Sequence, residues 1–168
     1  MEQAPPLPLS PRHRAFGLTL CYLARFWRRE ADATLKAYGQ SEATTLPLVV
    51  LARLGDGIRQ GQLADHVGVE GPSLVRLVDM LERDGLLERR TDPRDRRVKT
   101  LHLTAEGRAL AVRLDDALDG MRRRLLADVT PDQLETALTV FTAVERALGR
   151  SLGAMDGAAN GAADGGAP

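Results

Sequence analysis

Six of the eleven residues from Arg89 to Lys99 are basic, although the 168-residue chain carries 23 basic and 23 acidic side chains and a formal net charge of zero. A positive finger on a neutral protein acts locally, touching something negative at one place instead of drawing polyanions to the whole surface. Arg94, Arg96 and Arg97 lie in the segment 91–97, rich in Asp and Pro, between two short runs, Leu86 to Arg90 and Val98 to Leu103. The pattern predicts a hairpin with a loop too long for a two-residue turn. Arginine on such a loop suits a narrow minor groove, where the negative potential of DNA is focused. Asp92 and Asp95 suit a different task. A carboxylate facing phosphate is repelled, whereas one paired to a neighbouring arginine holds the loop in shape.

A second constellation precedes the finger. From Gln62 to Asp79 the spacing predicts a helix, a glycine turn and another helix. Leu63, Ala64 and Val67 form the inner face of the first, and Leu74, Leu77 and Val78 return to the same core from the second. Gly68 falls in the turn, where a left-handed backbone is cheapest for glycine. This is the spacing of a helix-turn-helix. Ser73, Arg76 and Asp79 are left facing outward. Ser73 can bond a phosphate or a base edge, and Arg76 can reach guanine with two parallel hydrogen bonds. A helix pair with a glycine turn is often purely structural, and a basic loop is often only solvated surface. Their immediate succession, in winged-helix order, points to double-stranded DNA as the partner.

The elements that must hold these residues follow from apolar periodicity. Ser10-Pro11 opens a long helix with Phe16, Leu20, Leu23, Trp27, Ala31 and Leu35 on one face, ending near Gly39. Ser41 opens a second, with Leu46, Val49, Val50 and Leu54 as its apolar positions and Pro47 inside its first turn. Short helices at about 59–67 and 72–84 follow, then the two strands. Thr104 caps a fifth helix carrying Leu110, Leu114, Leu118, Met121 and Leu125. Thr130-Pro131-Asp132-Gln133 is a capping box opening a sixth, with Leu134, Leu138, Phe141, Val144, Leu148 and Leu152. The fold class is mainly α with a small β-hairpin wing. Residues 1–9 read as a disordered proline-rich arm, 10–152 as one domain, and 153–168, eleven of whose sixteen residues are Gly or Ala, as a disordered tail. Within the domain, about 41–103 forms the DNA-binding core.

Composition sets further bounds. The six aromatic residues predict a core of Leu, Val and Ala. Cys21 is the single cysteine, so no intramolecular disulfide forms, which favours a reducing compartment. No apolar run is long enough for a membrane span, and no apolar stretch of a signal peptide follows Met1, so a cytoplasmic, non-membrane protein is expected. His13, His66 and His102 lack metal-ligand spacing, and no serine sits in a nucleophile elbow. Gly55 to Gly61 follows a helix and lacks the spacing of a nucleotide loop. Neither an enzyme nor a cofactor is expected.

The chain resembles the MarR family of bacterial winged-helix regulators. The resemblance rests on Gln62-Leu63-Ala64, Val69 to Arg76, Leu81 to Leu87, Asp92 to Arg97, and Leu103-Thr104-Ala105-Glu106-Gly107, and spans roughly residues 12–150. The Pro72 to Arg76 run is most similar to its SlyA-type branch. The resemblance implies a homodimer formed through helices at about 10–38 and 104–152, bound to a pseudo-palindromic operator. It implies major-groove contacts from Ser73 and Arg76 and wing contacts from Arg94 and Arg97, one of which enters the minor groove; Gln62 and Arg96 are further candidate DNA contacts. It further implies release of DNA by a small aromatic acid held between the two regions. Arg25, Trp27 and Arg28 suit a flat anionic ring by charged hydrogen bond and stacking, with Thr45 on the second helix. An arginine-rich helix more often carries one core aromatic and several solvated arginines. The stretch Ala43 to Leu46 also lacks the aromatic expected there in SlyA-type proteins. Leu20-Cys21-Tyr22 resembles the reactive-cysteine context of peroxide-sensing members. Arg25 and Leu35 replace the tyrosines those sensors use, and a buried inert cysteine is the simpler expectation. A helical module binding an acidic protein partner is the alternative from another class.

Overall fold

The computed structural model describes residues 10–93 and 95–149. Arg94, Leu152, the N-terminal arm and the Gly/Ala tail lie outside them. Six helices and three short strands run in the order α1 (Pro11–Leu35), α2 (Glu42–Leu54), β1 (Ile58–Arg59), α3 (Gln60–Val67), α4 (Gly71–Arg83), β2 (Leu87–Thr91), β3 (Lys99–Leu103), α5 (Ala105–Leu125) and α6 (Pro131–Ala147).

Local chemistry sets most boundaries. Pro11 occupies the first turn of α1, with Ser10 and His13 bonded side chain to side chain at 2.8 Å. After α1 a single turn of 3-10 helix ends at Gly39 in the left-handed region. Ser41 and Thr44 cap α2 reciprocally: the Ser41 hydroxyl accepts the Thr44 N–H at 3.3 Å, and the Thr44 hydroxyl accepts the Ser41 N–H at 3.0 Å. The Thr130–Gln133 box opens α6 in the same way, at 3.3 and 2.9 Å. Each satisfies two amide donors that a helix start otherwise leaves open.

Two expectations for α2 need correction. Its buried apolar positions are Leu48, Val49, Val50 and Leu51, with Pro47, whereas Leu54 is 42% exposed. Pro47 lies beyond the first turn. The error was one of period: α2 sits centrally and buries more than one stripe, so a single-stripe reading picks the wrong members. The strand β1 was also missed. Two residues carry no readable period, and Ile58 and Arg59 are strand only because they pair with Leu101 and Thr100.

The sheet is antiparallel with order β1-β3-β2. Leu35, Leu48, Leu51, Leu63, Leu74, Val78, Leu81, Leu87, Leu101 and Leu114 are essentially inaccessible. At roughly 1.5–3 kcal/mol for each large aliphatic side chain, this leucine-rich centre dominates the gain on folding. It joins α2, α3, α4, the sheet and the N-terminal part of α5 into one body. The outer helices differ. In α1 only Ala31 and Leu35 are buried, and α6 has no buried residue. The expected stripe of Phe16, Leu20, Leu23 and Trp27 therefore lies open along a single chain.

Candidate nucleic-acid interface

The turn between α3 and α4 is built from Gly68, at φ +72°, whose N–H donates to the Ala64 carbonyl at 2.9 Å. Val69 donates to the same carbonyl at 3.2 Å. Leu63 and Ala64 on one side and Leu74 and Val78 on the other close the pair around a common core. Glu70, Gly71 and Pro72 then start α4 without a side-chain cap. That leaves its first turn bare and narrow. Ser73, Val75, Arg76 and Asp79 are exposed. Arg76 makes no side-chain hydrogen bond or ion pair among the described residues, so its guanidinium is available to a ligand. Gln62 is also exposed, but its side-chain oxygen accepts the Arg59 N–H at 3.0 Å and caps α3. Its amide nitrogen makes no hydrogen bond among the described residues.

The hairpin sorts its cations into two groups. Arg89 is held by Asp79 and Glu82, Arg90 by Glu88, and Lys99 donates to the Thr91 hydroxyl at 2.7 Å. Arg96 and Arg97 are exposed and make no side-chain contact of this kind among the described residues. The basic character read from the sequence thus narrows to the tip. The two aspartates organise the loop there. Asp95 accepts the backbone N–H of Arg97 at 3.0 Å, and the Asp95 carbonyl accepts that of Val98 at 2.9 Å. The Asp92 carboxylate lies 3.9 Å from Arg59 of β1, and its N–H donates to the Val98 carbonyl at 3.0 Å. Arg59, expected at the start of the third helix, belongs instead to β1, which brings it to the wing.

Residues 44–99, the segment that contains this pair of devices, match the sequence profile of the MarR family. The transcriptional regulator PA3341 is 35% identical, with a TM-score of 0.73 over 80% of this chain and 98% of its own. The chain belongs to the MarR family. Two more distant structures share the winged-helix fold. CouR bound to a 23-mer DNA duplex is 23% identical, with a TM-score of 0.72 over 84% of this chain and 100% of its own. The MepR–DNA complex of S. aureus is 22% identical, with a TM-score of 0.71 over 79% and 97%. CouR from Rhodococcus jostii RHA1 has also been solved with p-coumaroyl-CoA. The family consists of transcriptional regulators, so the chain is grouped with regulators and not with enzymes.

The effector candidates of this MarR-family chain are less gathered than its candidate DNA contacts. Arg25 is exposed, Trp27 is 39% exposed, and Arg28 lies 3.7 Å from Glu42 at the start of α2. Burial pushes the Glu42 carboxyl above the ordinary carboxylate range; Arg28 pulls it down, and Asp32 pushes it up again. Thr45 is buried, and its hydroxyl has no hydrogen-bond partner among the described residues. The expectation of a buried cysteine fails for the single chain: Cys21 is exposed on α1. It sits on the same helix as the apolar stripe, which the other described residues leave largely open. Leu35 is fully buried.

Proposed function

We propose that the chain is a homodimeric regulator that binds a pseudo-palindromic operator, with Ser73 and Arg76 of α4 reading the major groove and Arg96 and Arg97 of the wing entering the minor groove. The observation that carries this reading is the sorting of charge. Of the arginines of α4 and the hairpin, Arg76, Arg83, Arg96 and Arg97 stay exposed without carboxylate partners among the described residues, while Arg89 and Arg90 of β2 are neutralised internally; of the exposed four, Arg76 lies near the bare start of α4 and Arg96 and Arg97 lie at the wing tip. Arg94 belongs to the same proposed set by its place in the loop. Gln62 is a lesser contact, through its amide nitrogen.

Dimerisation is supported by the open faces of α1 and α6. Phe16, Leu23 and Trp27 on one helix, and Leu134, Leu138 and Phe141 on the other, are exposed apolar side chains at helical spacing. A patch of that extent is costly in water unless another surface covers it. A second copy offers an identical one, as a two-fold interface requires. Half-sites then lie about one helical turn apart.

For the effector, a small aromatic or hydroxylated aromatic carboxylate is proposed, taken between α1 and α2 by Arg28, Arg25, Trp27 and Thr45. The unsatisfied Thr45 hydroxyl supports a polar ligand atom in that region, and the aromatic acyl thioester bound by CouR supports the chemical class. Ligand carboxylate competes with Glu42 for Arg28.

The test uses a duplex selected from a random-sequence library by the protein itself, titrated across a range of salt. Arg76→Ala is expected to lose about 1–3 kcal/mol and to relax preference at the bases it reads; Arg97→Ala is expected to weaken binding to all sequences and lower the salt slope by about one. Unchanged affinity in both variants would remove the proposal.

A further inference from the structure

Arg89 stands near the root of the wing, on β2, and its guanidinium reaches back to α4. One terminal nitrogen lies 2.5 Å from an Asp79 oxygen, and the other donates to Glu82. Its backbone N–H donates to the second Glu82 oxygen at 3.1 Å. With strand order β1-β3-β2, β2 is a sheet edge. An amide pointing away from β3 has no strand to bond, and Glu82 covers it. Asp79 and Glu82 are three residues apart and share one side of α4. A planar guanidinium presents one terminal nitrogen to each carboxylate in a fixed fork, a geometry that the single point charge of an ammonium does not impose. The side chain is 21% exposed, against 60% for Arg90 next to it. No other described side chain ion-pairs α4 to the hairpin.

We propose that Arg89 is a positioning residue for DNA binding: by fastening β2 to α4 through Asp79 and Glu82, it sets the angle at which Arg97 meets a minor groove while Arg76 occupies the adjacent major groove. Its charge is consumed inside the protein and makes no phosphate contact. The inference rests on the DNA-binding reading above. Its specific content is a coupling: the contribution of Arg97 depends on Arg89.

The experiment is a double-mutant cycle on a duplex selected from a random-sequence library by the wild-type protein. Arg97→Ala and Arg89→Ala are each expected to weaken binding about tenfold, and the double variant to be no weaker than the poorer single one, since a misplaced wing leaves Arg97 nothing to lose. In the Arg89→Ala complex, minor-groove protection from hydroxyl radicals is expected to vanish at the flanks, while guanine N7 protection in the major groove persists. Additive losses, or full affinity in Arg89→Ala, overturn the proposal. Should Arg89→Ala fail to fold by thermal scan, the cycle is run with Arg89→Lys, which keeps the charge but not the two-carboxylate fork; a smaller, still non-additive loss is expected, and additivity again overturns it. If Arg76→Ala and Arg97→Ala both bind normally, the DNA-binding reading itself fails. If they bind poorly and the cycle is additive, only the positioning role fails.

Discussion

Gly107 shows how one residue can matter through what it lacks. A methyl group there would stand 1.8 Å from the Leu86 carbonyl oxygen and 2.7 Å from its carbon, both backbone atoms that no rotamer change can move. Around it, Thr104 accepts the Gly107 N–H at 3.0 Å and donates to the Gly85 carbonyl at 2.7 Å, stitching the end of α4 to the start of α5. Alanine is the better helix former by about 1 kcal/mol. Here the clash wins, and Gly107→Ala is expected to destabilise by more than about 3 kcal/mol in chemical denaturation. Gly120, in the same helix with open space around its Cα, should behave oppositely. Gly120→Ala is expected to stabilise by roughly 0.5–1 kcal/mol. Equal effects at the two positions would show that the close approach to Leu86 is not what counts. The glycine was visible in the sequence as part of the Leu103 to Gly107 motif; the carbonyl it makes room for was not, because Leu86 is twenty-one positions away.

Between elements, the same question of which effect wins is settled by charge. Asp115 on α5 accepts from Arg53 of α2 at 2.8 and 3.0 Å and from Arg122 one and a half to two turns further along α5 at 3.1 Å. Burial alone raises its pKa, but the hydrogen bonds and charges of the two arginines outweigh it and hold the carboxyl below the ordinary range. A carboxylate whose folded pKa is depressed adds stability above its unfolded pKa and loses it as pH falls through the folded value. Asp115→Asn is therefore expected to lower stability near pH 7 by no more than about 1 kcal/mol, since solvent screens the partly exposed pairs, with the gap closing as the medium is acidified below the usual carboxylate range. Glu42 has the opposite sign. Its raised pKa favours the folded state only while it is protonated, and that advantage fades as pH rises through the folded value. Glu42→Gln should thus be neutral in strong acid and mildly stabilising near neutrality, measured by thermal unfolding across pH. A constant offset at all pH values would disprove the assignment in either case. The helices, caps and hairpin strands were legible because they follow from period and capping residues. The Arg53–Asp115 link and β1 were not, since both exist only where distant segments meet.

At the scale of the molecule, the outer helices leave a pattern that one chain does not complete. Removing apolar side chains from α6 costs the single chain little, because none is buried within it. Leu138→Asp with Phe141→Asp is expected to leave the helical content of one chain largely intact and to abolish assembly. Sedimentation should give twice the chain mass of 18.2 kDa for the wild type and the chain mass for the variant. A wild-type monomer would sink the two-fold architecture, and a dimeric variant would move the interface elsewhere. Operator binding should fall with assembly, since two half-sites are then no longer engaged together. Effector and thiol sensing separate at the same scale. Hydroxylated aromatic acids are expected to raise the melting temperature of the wild type and of Cys21→Ser alike, whereas a response to peroxide alone, lost in Cys21→Ser, would assign sensing to the thiol.

Short-range chemistry already dictates the helix starts at Ser41, Thr104 and Thr130, the glycine turn at Gly68, a basic hairpin after a helix-turn-helix, and the family those motifs mark. Apolar period and side-chain capping act within a few residues, so they can be read from a string. The tertiary structure alone decided which charges are free. Six cations of the hairpin look alike in the sequence, but Arg89 and Arg90 meet carboxylates while Arg96 and Arg97 meet none among the described residues. A guanidinium's availability depends on what the fold brings within about 4 Å of it, and for Arg89 that is a helix formed seven to ten residues earlier.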